Sequence, residues 1–431
     1  MVKETPVESA PVQSDGPPLP GQLRRVPGFP VLLLSVAFGA VASGILNVAN
    51  DLVAIYALGA NATQIGMLNA SESMAFLFLA VPAGIMLDRV NRIKTMMWAQ
   101  LAAGLSISSV PLAWMLGVLS YPQLVFVSFF VGAAGMLWAM GAGSAIPGMV
   151  GRGLACSAFA RKESVDTSAG IISPGLAGIL ISVISAPFTL FVAAAANLFA
   201  AATLLWGFPQ TGSSPAPHSL PATRVGFRRS FGEGLRFTLK HPTIRALISS
   251  SVMTNMGLAF GSALETLFFV KVLGFTPQVI GLVISTIAVG GLLGSLVVPV
   301  LVAKLGEYRI LAFSILGLPL VVALMPLAAL APLGALAMVV SHSVLYNALM
   351  VSYNATAYGL LASFTPEHMM GRQQGFRLVF TMGPVPFLGI VGGLLGDALG
   401  LQQAMWIWVG LTAFSALPLI PLVRRTNRQE A

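Results

Sequence analysis

Four ionisable side chains stand inside long apolar stretches of this sequence: Asp51, Glu72, Glu265 and His342. Amides surround the first. Asn47, Asn50 and Asp51 lie together, and Asn47 and Asp51, four residues apart, share one face of a helix. Asn347 follows His342 in the same apolar stretch. A carboxylate among amides in a water-poor cavity can bind and release a proton. An imidazole can take part in the same relay. These residues are the candidates for proton or substrate binding. A blander reading stands beside each. The three acids could lie near helix ends and touch water, and His342 could simply bond a neighbouring hydroxyl such as Ser341 or Ser343. Glu163 and Asp166 follow Arg161-Lys162 directly and read as gate or interface acids rather than proton carriers. Arg377 could face an acid or an anionic group, or reach out to the interface.

The chain lacks other chemistry. It has no Gly-rich nucleotide loop ending in Lys-Ser/Thr and no His/Cys spacing for a metal. Its single cysteine, Cys156, excludes an internal disulfide. No cofactor, no metal and no enzymatic activity are expected.

The elements that must carry these residues are membrane helices. Of 431 residues, 56% are hydrophobic and 9% charged, against about 25% charged in a soluble domain. So few charges cannot clothe a water-soluble body of this size, and lipid must cover most of it. Placing an acid at the bilayer centre costs ~2.5–3.5 kcal/mol on insertion scales, which is why the embedded acids count as functional candidates.

Apolar stretches long enough to cross a bilayer occur near 30–57, 63–86, 94–116, 122–149, 163–184 and 187–207. Six more follow near 243–270, 277–302, 309–328, 332–361, 372–396 and 402–423. The expected fold is an all-α membrane protein of twelve transmembrane helices in two six-helix repeats. The expected organisation is a disordered tail (1–29), a first bundle (30–207), a polar inter-bundle loop (208–242), a second bundle (243–423) and a short tail (424–431).

The net charge of +9 invites a nucleic-acid reading, but charge placement argues against it. Of 23 Lys and Arg residues, all but Lys271 fall on the two tails or on loops after even-numbered spans, helix ends included. The positive-inside rule predicts that asymmetry. It puts both termini in the cytoplasm and makes the chain a multi-pass protein of the cytoplasmic (inner) membrane. The expected partners are the bilayer and a small molecule, with no nucleic acid.

The halves align at an offset of 215 residues: Leu58-Gly59 falls on Leu273-Gly274, and Ile65-Gly66 on Ile280-Gly281. Glu265 then falls on Asn50. Parallel repeats of this kind place a substrate site near the midplane, between the halves.

One loop has a recognisable pattern. Between the second and third spans the chain reads Gly84-Ile-Met-Leu-Asp88-Arg89-Val-Asn-Arg92-Ile-Lys94. This resembles the loop signature of the major facilitator superfamily, G-x-x-x-D-R-x-x-R. The resemblance implies that Gly84 permits close helix approach, that Asp88 meets the positive N-terminus of the eleventh span, and that Arg89 and Arg92 help close the cytoplasmic side. Gly234-Leu235-Arg236-Phe237 with His241-Pro242, Val272-Leu-Gly-Phe-Thr-Pro277, and Thr365-Pro-Glu367 with Gly371-Arg372 are similar to one branch, the drug and siderophore exporters of the macrolide- and enterobactin-efflux kind. In the fifth span, Gly170, Pro174, Gly175 and Gly178 resemble an antiporter packing motif, with Ser173-Pro174-Gly175 where that motif has Gly-Pro. The repeat of the loop signature is degenerate, with Ala303 in the acid's place.

What the resemblance implies is a secondary transporter, acting as a monomer and working by alternating access, that exports hydrophobic or amphipathic small molecules (a drug or siderophore) against protons. An uptake symporter for a metabolite is the alternative within transport. A lipid-handling membrane enzyme is the alternative of another class.

Overall fold

The computed structural model describes residues 23, 26–87, 90–208, 227–366, 377 and 379–420. Among them the first bundle contains α1 (Phe29–Leu58), α2 (Ala62–Leu87), α3 (Arg92–Met115), α4 (Tyr121–Val150), α5 (Arg152–Ile184) and α6 (Ala186–Gly207). A connecting helix, α7 (Phe227–Lys240), comes next. The second bundle holds α8 (Pro242–Lys271), α9 (Pro277–Leu305), α10 (Glu307–Val322), the short α11 (Leu324–Ala328), α12 (Ala335–Phe364), α13 (Val385–Leu399) and α14 (Leu401–Phe414). Ten helical stretches among the described residues are long and apolar enough to cross a membrane. The helix α2, which carries Glu72, and α14 with its one-turn extension at Leu417–Leu419 occupy the remaining two expected spans.

Local signals set the boundaries. Asn91 caps α3, its side chain accepting from the Lys94 amide at 3.1 Å. His241 does the same for α8, and proline opens α8 and α9. A left-handed glycine stands at the same register after the first span of each repeat, Gly59 capping α1 and Gly274 in the turn after α8, both at φ 65°. Two details were not legible as spans. The polar loop contains α7, and the ninth span breaks at Ala323 between α10 and α11.

Helix pairing is the same in both halves. In the first, α1 packs on α5 and α6, α3 on α4 and α6, and α2 on α4. In the second, the equivalent pairs recur: α8 with α13 and α14, α10 with α12 and α14, and α9 with α12. Large apolar side chains face outward, as lipid requires; Trp206 is 77% exposed and Phe126 66%.

The halves meet through two symmetric seams, α2 against α13 and α5 against α9. Glycine makes both. Gly66 lies against the backbone of Gly389, and Gly393 against that of Ala62 and Thr63. Shifted by the repeat offset, Gly281 lies against Pro174 and Gly178, and Gly178 against Pro277 and Gln278. A Cβ on any of these glycines would strike backbone, so only glycine lets the helices approach this closely. Both seams lie at the end of the molecule that carries the short loops 59–61 and 272–276.

Candidate functional site

On the tail side of these seams the halves part around a central cavity of about 970 Å³. Its wall is mostly apolar, with contributions from α1 to α6, α9 and the stretch 379–385. Phe76, Leu77, Met136 and Met382 give it an adaptable surface. Its amides and acids come from separate helices: Asn47 on α1, Glu72 on α2, Gln100 on α3, Asp166 on α5 and Asn197 on α6. Among the described residues, no Lys or Arg lines it. Glu72 faces the cavity and is solvent-accessible through it.

Asp51 sits one turn beyond Asn47, at the closed end rather than in the cavity wall. It is 7% exposed, and its Oδ2 accepts a hydrogen bond from the Thr266 hydroxyl of α8 at 2.9 Å. That bond joins the first helices of the two repeats. Asn50 turns the other way and donates from Nδ2 to the Ser128 hydroxyl of α4 at 3.0 Å. Sequence reasoning missed Thr266. The repeat offset was the signal that could have found it, because Asp51 falls on Thr266.

Glu265, next to Thr266, does not line the central cavity. With His342 and Asn347 it lines a smaller pocket within the second half. His342 is 3% exposed, and its Nδ1 donates to the carbonyl of Val321 at 3.1 Å. Its partner is thus a backbone oxygen across the bundle, not the Ser341 or Ser343 hydroxyl that the sequence offers. Asn347 bonds within its own helix, to the Ser343 carbonyl at 3.1 Å.

Two acids midway along α5 serve one basic side chain. Lys162 pairs with Asp166 and, at 3.4 Å, with Glu163, and its ammonium lies 5.8 Å from the Trp138 ring centre. Both Trp138 and Asp166 line the central cavity. Arg377 is buried, with its guanidinium 4.2 Å from the ring centre of Tyr358. Of the loop signature, Asp88 and Arg89 lie outside the described residues, as do Glu367, Gly371 and Arg372. Gly84 is in the last turn of α2, and Arg92 opens α3.

The fifth-span motif divides its work. Gly178 makes the seam with α9, and the missing Cβ of Gly175 would lie 3.2 Å from the Ser285 hydroxyl. Gly170 and Pro174 line the cavity.

One cross-half contact breaks the symmetry. Asp397, near the end of α13, caps the N-terminus of α2. Its carboxylate accepts from the amides of Ala62 and Thr63, each at 2.9 Å, and from the Thr63 hydroxyl at 2.6 Å. A negative charge there also complements the helix dipole. The repeat equivalent of Asp397 is Ser182, which bonds only its own helix.

Comparisons with known proteins agree with this geometry. The multidrug efflux pump Tap of Mycobacterium tuberculosis (strain ATCC 25618 / H37Rv) is 26% identical over 394 residues, covering 88% of this chain and 89% of that one. The enterobactin exporter EntS of Escherichia coli O1:K1 / APEC is 24% identical over 404 residues, 93% of each chain. Among solved structures, a bacterial homologue of the iron transporter ferroportin in an inward-facing state superposes with a TM-score of 0.73 at 16% identity, over 92% of this chain and 98% of that one. The POT family transporter PepTSo superposes with a TM-score of 0.74 at 13% identity, over 96% of this chain and 100% of that one. The family model of the Major Facilitator Superfamily matches residues 32–385, most of the length. With its two equivalent helix sets and the cavity between them, the chain belongs to the major facilitator superfamily of membrane transporters.

Proposed function

We propose that this chain exports amphipathic small molecules across the cytoplasmic membrane, as a monomer with both termini in the cytoplasm, and that protons flowing inward drive the export. The observation that carries this reading is the central cavity. It is large, mostly apolar and adaptable, and Glu72 faces it from α2. Such a wall suits cargo with an apolar body better than a small polar metabolite. Similarity along nearly the whole chain to a multidrug efflux pump and an enterobactin exporter supports the outward direction.

Alternating access follows from the seams. They are narrow, symmetric and built on backbone contact, so the halves can rock about them. The Lys and Arg asymmetry puts the short-loop end outside, so the conformation described is closed outward and opens its cavity inward. Asp51 is the coupling carboxylate in this account. It sits on the joint between the halves, where gaining or losing a proton changes a contact that both halves share.

The experiment is a growth-inhibition panel on cells that lack or overproduce the protein. Export predicts that overproduction raises tolerance to, and lowers accumulation of, a set of amphipathic compounds. Faster accumulation on overproduction would overturn the direction and favour an uptake symporter.

A further inference from the structure

The smaller pocket, of about 280 Å³, lies between α8, α9, α12 and α14. It adjoins the central cavity, since Ile287 of α9 lines both. Its inner wall is aromatic. His342 stacks on Tyr346 at 5.3 Å between ring centres, and Trp408 meets both rings edge-on at 5.5 and 6.1 Å. The bond from His342 to the Val321 carbonyl fixes the cluster on one side. On the other, the indole of Trp408 fills the room left by the missing side chain of Gly261.

Four polar groups of this pocket lack partners, although His342 and Asn347 are bonded. The Glu265 carboxylate makes no side-chain hydrogen bond or ion pair among the described residues. The Tyr346 hydroxyl, the Trp408 indole N–H and the Ser343 hydroxyl are also unbonded, and these three side chains are 5%, 1% and 2% exposed. Burying such groups without partners is unfavourable, all the more in a bundle surrounded by lipid. Their convergence on one cavity points to a ligand that completes them.

The chemistry selects the ligand's charge. No Lys or Arg lines the pocket among the described residues, so an anion would meet Glu265 with nothing to offset it. A cation would meet a carboxylate and the negative faces of aromatic rings. The O–H and N–H donors suit an acceptor oxygen near the charged centre.

We propose that this side pocket binds the ammonium end of an organic cation, with Glu265 as counter-ion and Tyr346 and Trp408 as the aromatic wall. The assignment deepens the proposed function by giving the cargo a cationic head and an apolar body in the adjoining cavity. Identifying the ligand as cargo rests on that reading; the binding site itself does not.

The test is equilibrium binding to the purified full chain in lipid nanodiscs, with no ion gradient, by calorimetry. The probes are benzyltrimethylammonium and neopentylbenzene, its uncharged isostere with carbon in place of nitrogen. The wild type should bind the cation. Glu265→Gln and Trp408→Leu should each weaken binding by about tenfold or more, because each removes a desolvated partner of the charge. Glu265→Gln should leave the uncharged isostere within about twofold, as should Glu72→Gln the cation. Where Trp408→Leu fails to fold, Tyr346→Leu replaces it. No binding of the cation to the wild type would overturn the assignment, as would wild-type affinity in both pocket variants. Loss of the cation on Glu72→Gln alone would place it in the central cavity and also overturn the assignment. A chain that binds the cation in this way yet confers no tolerance in the growth panel would sink the export reading and leave the pocket standing.

Discussion

Asp51 and Thr266 are 215 residues apart in sequence, and a hydrogen bond of 2.9 Å joins them. The same offset superposes Gly59 on Gly274 and Gly66 on Gly281. Asp51 and Thr266 are therefore equivalent positions of the two repeats, and they touch. Equivalent positions of a twofold arrangement meet only near its axis. This bond marks the joint about which the halves must turn.

Thr266→Val keeps the side-chain shape and removes the hydroxyl. Asp51 then stays buried without that hydrogen bond, a loss of about 1–3 kcal/mol. Transport should fall by roughly tenfold while expression and elution on gel filtration stay normal. In a double-mutant cycle with Asp51→Ala, which leaves no acceptor for that hydroxyl, the two losses should not add, since both remove one interaction. Additive losses would show that the two residues act separately.

The glycine seams make a geometric prediction. In Gly281→Ala the new methyl meets the Pro174 carbonyl, and in Gly66→Ala it meets that of Gly389. Backbone cannot step aside as a flexible side chain can, and overpacking of this kind costs about 1–3 kcal/mol. Either variant should hold the short-loop end apart. Spin labels at Ser182 and Gln278, on facing ends of α5 and α9, should report a longer distance than in the parent. Unchanged distances in both variants would remove the seams from the account.

Asp397 should act as a one-sided clasp on the closed end. Asp397→Ala removes the cap on α2, worth about 1 kcal/mol as N-caps go. The equilibrium between the two faces should shift several-fold toward the outward-open form, read as label separation between Asn61 and Gln402. Ser182→Ala, at the equivalent position on the other seam, should shift nothing.

Ser185 is the only non-glycine at positive φ among the described residues, at φ 71° and ψ 162°. Its repeat equivalent is Gly400, at φ 93° and ψ 148°. That region of backbone space belongs to glycine, and other residues lose about 1–3 kcal/mol there. Ser185→Gly should therefore raise the melting temperature of the purified protein. A lower melting temperature would mean that the serine makes a compensating contact.

Much of this was legible in the sequence because lipid simplifies the code. Apolar length gives a span, and the placement of Lys and Arg gives a side. Gly59 and Gly274 disclosed the repeat because a left-handed turn narrows the choice of residue. The pairing of Asp51 with Thr266 was not legible as a contact, because it depends on how α1 and α8 rotate about their axes. Both helices are apolar nearly all round and carry no stripe that would fix that rotation. For the same reason Glu265 and Asn50, aligned in sequence, face different places: one a side pocket, the other Ser128. His342 found a carbonyl at Val321, which no local pattern announces. The helix α7 went unread because its charges resemble those of a solvated loop.

The claim that a carboxylate at the joint couples transport to protons is tested most directly in proteoliposomes. The purified chain is reconstituted with a pH indicator and given a compound to which overproduction confers tolerance. The wild type should show proton movement that depends on that compound, and Asp51→Asn should abolish it while still binding the compound. Proton movement unchanged in Asp51→Asn would contradict the account.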